Sequence, residues 1–315
     1  MIYISAVIVT FNRLEKLKIT IEKSLEESFD KIIIVNNNSS DGTKEYLDSL
    51  DNDRLIVEHL EENIGGAGGF HVGFEVALEK IDAEWIVCYD DDSYPQKSAI
   101  DHFRGLSLDG ISAVAAAVYL PNGEVSVMNK VRFNPFKSMK TFFDTFIKGK
   151  SIYVAEEAYT KEVSQEIDAS TFVGFFVRAS VVRQIGLPRT ELFIYADDLI
   201  YTLGMTSRGY RHMFIPSIKF IHDCNTLVNE KDIYHPIWKV YYTYRNRIEM
   251  YRVSSQWFYL PITLLQIVPW MRKKKYYQNK KLYLTLLKIA IVDALKSDFT
   301  RSHSDILEIV DQYEN

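Results

Sequence analysis

The chain of 315 residues is 47% hydrophobic and 25% charged, which suits one large domain, or a catalytic domain with a smaller appendage, and excludes a disordered or low-complexity architecture. At a formal net charge of −5 no nucleic-acid partner is expected. The two cysteines, Cys88 and Cys224, lack metal-ligand spacing and read as reduced core thiols of a cytosolic protein, not as a disulfide.

The run Ile4 to Thr10 is apolar, with neither a basic leader nor a small-residue cleavage site, so it reads as a first buried strand and not as a signal peptide. Leu14, Leu17, Ile21 and Leu25 then recur at helical spacing, and a second apolar run covers Ile32 to Val35. The unit repeats through the turn NNNSSDGT, a short helix Lys44 to Leu50, a strand near Leu55 to Leu60, the bend ENIGGAGGF, a helix through Phe74 to Ile81, and a strand Trp85 to Tyr89. This alternation predicts an α/β fold whose parallel sheet is covered on both faces. Ligands of such sheets bind beyond the carboxyl ends of the strands. The polar clusters fall there: Asn12 and Arg13, Asn36 to Asp41, Glu62 to Gly69, and Asp90 to Asp92 follow the first four strands in turn.

From about Pro121 to Ile167 no period is clean, and the stretch is expected to form an acceptor-facing insertion. Order returns with Ser170 to Val177, a helix Ala179 to Ile185, a helix Asp197 to Ser207 closed by Gly209, and strand-like Phe214 to Ile221. After His235 the chain reads as helical. The expected units are therefore 1–235, catalytic, and 236–315, a helical extension. Between Pro236 and Val292 eleven Lys or Arg face a single acid, Glu249, which fits attraction to anionic headgroups or to a pyrophosphate-bearing acceptor. Within it, Trp257 to Met271 is apolar but shorter than the ~20 residues of a spanning helix. It is expected either to lie on a bilayer or to pack on the catalytic unit or a second subunit.

Asp90-Asp91-Asp92 leaves a strand end with alternate carboxylates on one side. Hard oxygen ligands at that spacing suit Mg²⁺ or Mn²⁺ bridging a diphosphate, although a solvated acidic turn or helix cap is the commoner use of such a run. Gly65, Gly66, Gly68 and Gly69 precede a helix, where they either admit a phosphate or sugar to backbone amides or simply make a tight bend. Capping accounts for one of Asp197 and Asp198; the other reads as a general base for an acceptor hydroxyl. His222, taken alone, is an ordinary core or surface histidine.

Together VIVTFNR, VNNNSSDGT, ENIGGAGGF, YDDD, FIYADD and YYTYRNR resemble the family 2 glycosyltransferases of GT-A fold, over residues 1 to about 250, and most of all the bacterial galactofuranosyltransferases. The resemblance implies a Rossmann-like sheet with a C-terminal helical extension, and an inverting enzyme that moves galactofuranose from UDP-galactofuranose onto a saccharide or lipid-linked acceptor in surface polysaccharide synthesis. It makes Asp90, Asp92 and His222 metal ligands and Asp198 the base, with Asp197 on the acceptor. It places Thr10, Asn12, Arg13, Asn38, Asp41 and Asn63 at the nucleotide-sugar pocket together with the glycines, and Asp91 toward the sugar. A cytoplasmic enzyme held at the inner membrane face, with possible self-association, is expected. Ala196 and Ile200 stand where the family often has Trp and an acid, which puts the acceptor contacts there in question. A rhamnosyltransferase using dTDP-rhamnose, a nucleotidyltransferase and a non-catalytic sugar-binding module are the alternative readings.

Overall fold

The computed structural model describes residues 2–224 and 233–314; residues 1, 225–232 and 315 of the two expected units lie outside it, as does the Trp257 side chain. One mixed sheet of nine strands runs in the order β3-β2-β1-β4-β8-β6-β9-β5, with β7 also on β9. Its strands are β1 (Ile4–Thr10), β2 (Lys31–Asn36), β3 (Leu55–His59), β4 (Trp85–Asp90), β5 (Ser93–Pro95), β6 (Ala113–Tyr119), β7 (Gln165–Ile167), β8 (Phe175–Arg178) and β9 (His212–His222). The longer pairings, β1 with β2 and β4, β2 with β3, and β6 with β9, are parallel, while β8, β5 and β7 pair antiparallel. The expected α/β sheet is present, with antiparallel strands added in its second half.

Helices cover both faces, which explains why β1, β2 and β4 read as continuous apolar runs. One core joins Ile4, Ala6 and Ile8 to α1 (Leu14–Leu25) through Leu17 and Ile21, and the other joins Val7, Val9, Ile33 and Val35 to Phe70, Phe74 and Ala77 of α3 (Gly65–Glu79). Between these helices lies α2 (Thr43–Asp48). Because β2 and β3 lie on one side of β1 and β4 on the other, the strand order switches direction between β1 and β4, where a crevice opens at the carboxyl ends.

Two differences from the sequence reading matter for the site. The glycine-rich bend is the first turn of α3 itself, which starts at Gly65 instead of near Phe74. Glycine is a poor helix former, but here tight packing decides. A Cβ on Gly69 would lie 2.4 Å from Val9 Cγ1, and one on Gly68 2.6 Å from Ile64 Cγ1. The second is β5, too short to show a period, which pairs Ser93 with His222. A bulge in β9, between Ile215 and Lys219, contains Pro216, and beyond it the strand pairs with β6 on one edge and β5 on the other.

The helix α4 (Ala99–Arg104) follows β5. The unpatterned stretch holds α5 (Met139–Phe146), α6 (Glu156–Thr160) and β7. After β8 come α7 (Ala179–Ile185) and α8 (Asp197–Ser207), both where the sequence predicts them, and the C-terminal helices are α9 (Lys239–Ser255), α10 (Tyr259–Arg272), α11 (Lys280–Lys296) and α12 (His303–Glu314). Their aromatic core, with Tyr241, Tyr244, Trp270 and Tyr283 buried, is distinct from the two sheet cores. Even so, α9 is tied to the chain before α8 by the fully buried Arg245 and Asn246. No described helix is long and apolar enough to cross a membrane.

Candidate active site

The acidic triplet straddles the end of β4. Asp90 is its last residue, and the chain turns through Asp91 and Asp92 into β5. Alternation sends Asp90 and Asp92 to one side, where His222 arrives from β9, and ligand atoms of the three side chains lie within 4.8 Å of one another. The β5 pairing brings this about, helped by a 2.8 Å bond from Asp223 N to Asp92 O. His222 Nε2 is 3.2 Å from Asp92 Oδ1, a buried oxygen without a hydrogen-bond partner, and His222 Nδ1 meets Asn129 Oδ1 at 2.8 Å. With Nδ1–H donating to Asn129, Nε2 is the nitrogen that faces the two carboxylates: it pairs with Asp92 when the ring is protonated and offers a lone pair when it is not. Two carboxylates, an imidazole fixed through its far nitrogen, and an orphaned carboxylate oxygen form a donor set that fits a divalent cation.

The electrostatics agree with a site that gathers negative charge. Burial raises the Asp90 carboxyl above the usual range, and the Asp92 charge adds to it. For His222, burial opposes the charged ring, but contact with Asp92 and the charges of Asp90 and Asp92 outweigh it and hold the imidazole above its ordinary value. Burial also opposes ionisation of Asp92, yet His222 and Arg13 keep that carboxyl low. Arg13 Nη1 donates to Asp92 Oδ2 at 2.6 Å and lies 3.5 Å from Asp91 Oδ1.

Asp91 Oδ2 accepts 2.8 Å from Thr10 Oγ1 and 3.4 Å from Phe11 N, and both Asp91 and Thr10 are buried. Strand alternation turns this middle carboxylate away from Asp90 and Asp92 and toward β1, where Asp91 and Thr10 brace the floor. Burial pushes the Asp91 carboxyl up to about 7, against the pull of Arg13.

Beside the triplet opens a cavity of about 490 Å³, lined by Asn12, Arg13, Leu14, Glu15, Lys16, Asp41, Asp92 and Asp223, a size suited to a nucleotide. Asn12 and Asp41 are on its wall, but their polar atoms also fasten loops. Asn12 Oδ1 accepts from Ser40 N at 2.7 Å, and Asp41 accepts from Leu14 N at 2.9 Å and Thr43 Oγ1 at 2.6 Å. Asn12 and Asn38 both have positive φ, at 54° and 60°, a conformation that asparagine tolerates. Asn38 is exposed at the tip of its turn. Asn63 is a brace: its Oδ1 accepts from Asn37 Nδ2 at 3.0 Å and Gly65 N at 2.9 Å.

The four glycines divide their roles. Gly68 and Gly69 are taken up by packing, and Gly65, at φ 76°, lets the backbone of Phe193 approach so closely that a Cβ would sit 2.1 Å from Phe193 O. Only at Gly66 would a Cβ find nothing within 4 Å. The helix start is thus docked on the 192–196 loop, with Ala67 N donating to Phe193 O at 3.1 Å, so the absence of a Cβ at Gly65, Gly68 and Gly69 is accounted for by packing.

That loop carries Asp197 and Asp198. Phe193, Tyr195 and Ala196 all have positive φ, at 62°, 70° and 59°, a strained backbone of the kind that clusters at functional sites. Asn246 Nδ2 holds it through Leu192 O, Ile194 O and Tyr195 O at 2.8, 2.9 and 2.9 Å, and Arg245 Nη2 donates to Glu191 O at 2.6 Å and Leu192 O at 3.2 Å. The motif YYTYRNR, which had no assigned role in the sequence, fastens the segment FIYADD to GGAGGF. Burial pushes the Asp198 carboxyl up to about 6; the Leu199 N–H and Arg132 oppose the rise and Asp90 adds to it. Asp197, raised well above the usual range by burial and then by Asp198, lines a separate cavity of about 160 Å³ with Leu187, Ile200, Tyr201 and Val253. Burial favours a neutral carboxyl, and the same cavity is also lined by Arg189 and Arg208. Asn129 and Arg132 were missed because they lie in the stretch without a period, and nothing local marks them.

The geometry has counterparts elsewhere. The sequence profile of glycosyl transferase family 2 matches residues 5–167. Galactofuranosyltransferase GlfT1 of Mycolicibacterium smegmatis is 24% identical over 265 residues, covering 78% of this chain and 81% of that protein. The dTDP-rhamnosyl transferase RfbF of Shigella flexneri is 27% identical over 220 residues, covering 70% and 68%. The crystal structure of GalNAc-T7 with UDP, GalNAc and Mn²⁺ superposes with a TM-score of 0.59 at 13% identity; it covers 98% of this chain, which spans only 56% of that one. The architecture is GT-A, and the chain belongs to glycosyl transferase family 2.

Proposed function

We propose that the protein is an inverting, metal-dependent galactofuranosyltransferase that uses UDP-galactofuranose. The observation that carries this reading is the convergence of Asp90, Asp92 and His222 within 4.8 Å at the β1/β4 crevice, beside a nucleotide-sized cavity. The donor sugar follows the GlfT1 likeness; RfbF favours dTDP-rhamnose as the second reading.

In the proposed reaction an acceptor hydroxyl attacks the anomeric carbon opposite the diphosphate. The new C–O bond forms as the bond to the β-phosphate oxygen breaks, and the electron pair leaves with UDP. Asp198 takes the hydroxyl proton, a contribution of ~10²–10⁴ in rate. Asp90, Asp92 and His222 would hold Mn²⁺ or Mg²⁺, which when bound supplies electrostatic neutralisation of the leaving diphosphate. Asn129 orients His222, and Thr10 with Asp91 keeps the turn after β4 in place. Arg13, Asn12 and Asp41 form the donor wall. The acceptor is a saccharide, free or lipid-linked.

Asp198→Ala is expected to abolish transfer while UDP binding in the presence of Mn²⁺ persists; a variant transferring at near wild-type rate overturns the assignment. Product analysis with UDP-galactofuranose, UDP-galactopyranose and dTDP-rhamnose in parallel decides the donor. Donor binding without turnover of any of them would instead mark a sugar-binding module.

A further inference from the structure

Two helices of this chain turn their apolar sides outward. On α10 the residues Leu260, Pro261, Leu264, Leu265, Val268 and Met271 fall within an arc of about 140° at the helical advance per residue. They are exposed, Leu264 at 66% and Leu265 at 76%, whereas the opposite side buries Thr263 and Trp270. On α5 no residue is buried, although Met139, Phe142, Phe143 and Phe146 form an apolar stripe continued by Ile147. Met139 is 65% exposed and Ile147 71%. The helices adjoin: Phe142 stacks on Phe258, just before α10, with ring centroids 6.2 Å apart. Between them the two stripes expose about ten apolar side chains, more than the scattered apolar residues of an ordinary surface.

Cations edge this face. Arg272 at the end of α10 and Lys274 and Lys275 after it are exposed, as are Lys140 in the first turn of α5 and Lys150 beyond its end. No acid occurs between Glu249 and Asp293, and on α5 Asp144 is paired with Lys148 at 2.8 Å. Apolar side chains that insert among acyl chains, bordered by cations at headgroup level, are the chemistry of an interfacial helix on an anionic bilayer. A self-association face would set the exposed Arg272, Lys274 and Lys275 against the same cations of its own copy.

We propose that α5 and α10 together form a docking face for an anionic lipid bilayer. It differs from the sequence expectation in joining the unpatterned insertion to the C-terminal stretch. The insertion that carries α5 also carries Asn129, the partner of His222, so the docked face and the site are linked by one short run of chain. The proposal does not depend on the donor or the catalytic assignments, because its test uses no sugar.

The full chain is sedimented with vesicles of phosphatidylcholine alone and of phosphatidylcholine mixed with phosphatidylglycerol, at low and high salt. Binding is expected to the anionic vesicles and to weaken with salt. L264E/L265E and, independently, F143E are each expected to reduce binding by about tenfold or more, and R272E/K274E/K275E to remove the preference for anionic lipid. These positions are exposed, and unchanged circular dichroism checks the fold of each variant. Recovery of the wild type in the supernatant with both vesicles overturns the proposal. Equal binding to neutral and anionic vesicles does so too, as does a dimer in sedimentation equilibrium that L264E/L265E dissociates while vesicle binding is absent.

Discussion

Asn246→Ala tests the link between the C-terminal helices and the site. One amide group holds three carbonyls, the buried one of Leu192 and the part-buried ones of Ile194 and Tyr195, and its own Oδ1 accepts from Arg245 Nε at 3.0 Å. Two N–H protons shared among three acceptors amount to two full bonds. Leaving that many carbonyls unsatisfied costs about 1–3 kcal/mol each, so a loss of about 2–6 kcal/mol is expected. The loop restrained by these bonds holds three non-glycine residues at positive φ, at ~1–3 kcal/mol of strain apiece. Strain and restraint are of the same order, so removing the restraint lets Phe193, Tyr195 and Ala196 relax, and Asp197 and Asp198 follow directly in the chain. Displacing a reacting group by ~1 Å costs ~10²-fold in rate. Urea unfolding should show a lower midpoint with an unchanged slope. UDP-release kinetics should show kcat down at least tenfold, while donor KM changes little because the 490 Å³ cavity lies on other elements. Asn246→Asp, which keeps the acceptor and sets a carboxylate against carbonyls, should do no better. An Asn246→Ala enzyme that loses stability yet keeps wild-type kcat would refute the argument that this contact positions Asp198.

The Asp198 carboxyl, pushed up to about 6 by burial, must be ionised to act as base, so kcat is expected to fall as pH drops through about 6; a flat profile down to pH 5 would count against it. Asn129→Ala frees the His222 ring, and weaker Mn²⁺ binding by ~10–100-fold is expected by calorimetry; unchanged affinity would show that Asn129 does not orient a metal ligand. Gly69→Ala is expected to destabilise by about 1–3 kcal/mol through contact with Val9 without altering donor KM, whereas Gly66→Ala, whose Cβ meets open space, should leave the urea midpoint unchanged or raised. Burial holds the His212 imidazole at about 3, below its usual 6.5. The unfolded chain therefore takes up a proton first as pH falls below 6.5, and stability is lost toward acid, by about 2 kcal/mol at pH 5. His212→Leu should remove that slope from urea titrations at several pH values.

Local chemistry was sufficient for much of this protein. Apolar runs and helical spacing predict β1 to β4, α1, α7 and α8, because a strand buried on both faces or a helix with one buried stripe needs only its own residues to declare itself. The same strand ends place the acidic triplet, the asparagine turns and the start of α8 in one half of the molecule. Tertiary structure decided which of those residues meet. His222 joins Asp90 and Asp92 only because a bulged β9 pairs with the three residues of β5, a contact spanning more than a hundred residues that leaves no period in the sequence. The glycines looked the same as one another. Steric contacts with Val9, Ile64 and Phe193 assign three of the four to packing. The triplet itself is split by pleat: Asp90 and Asp92 face His222, while Asp91 turns down to Thr10. Sequence determines what each residue can do locally, whereas the distances between distant segments, set by core packing and strand pairing, determine which of those capacities are joined into a site.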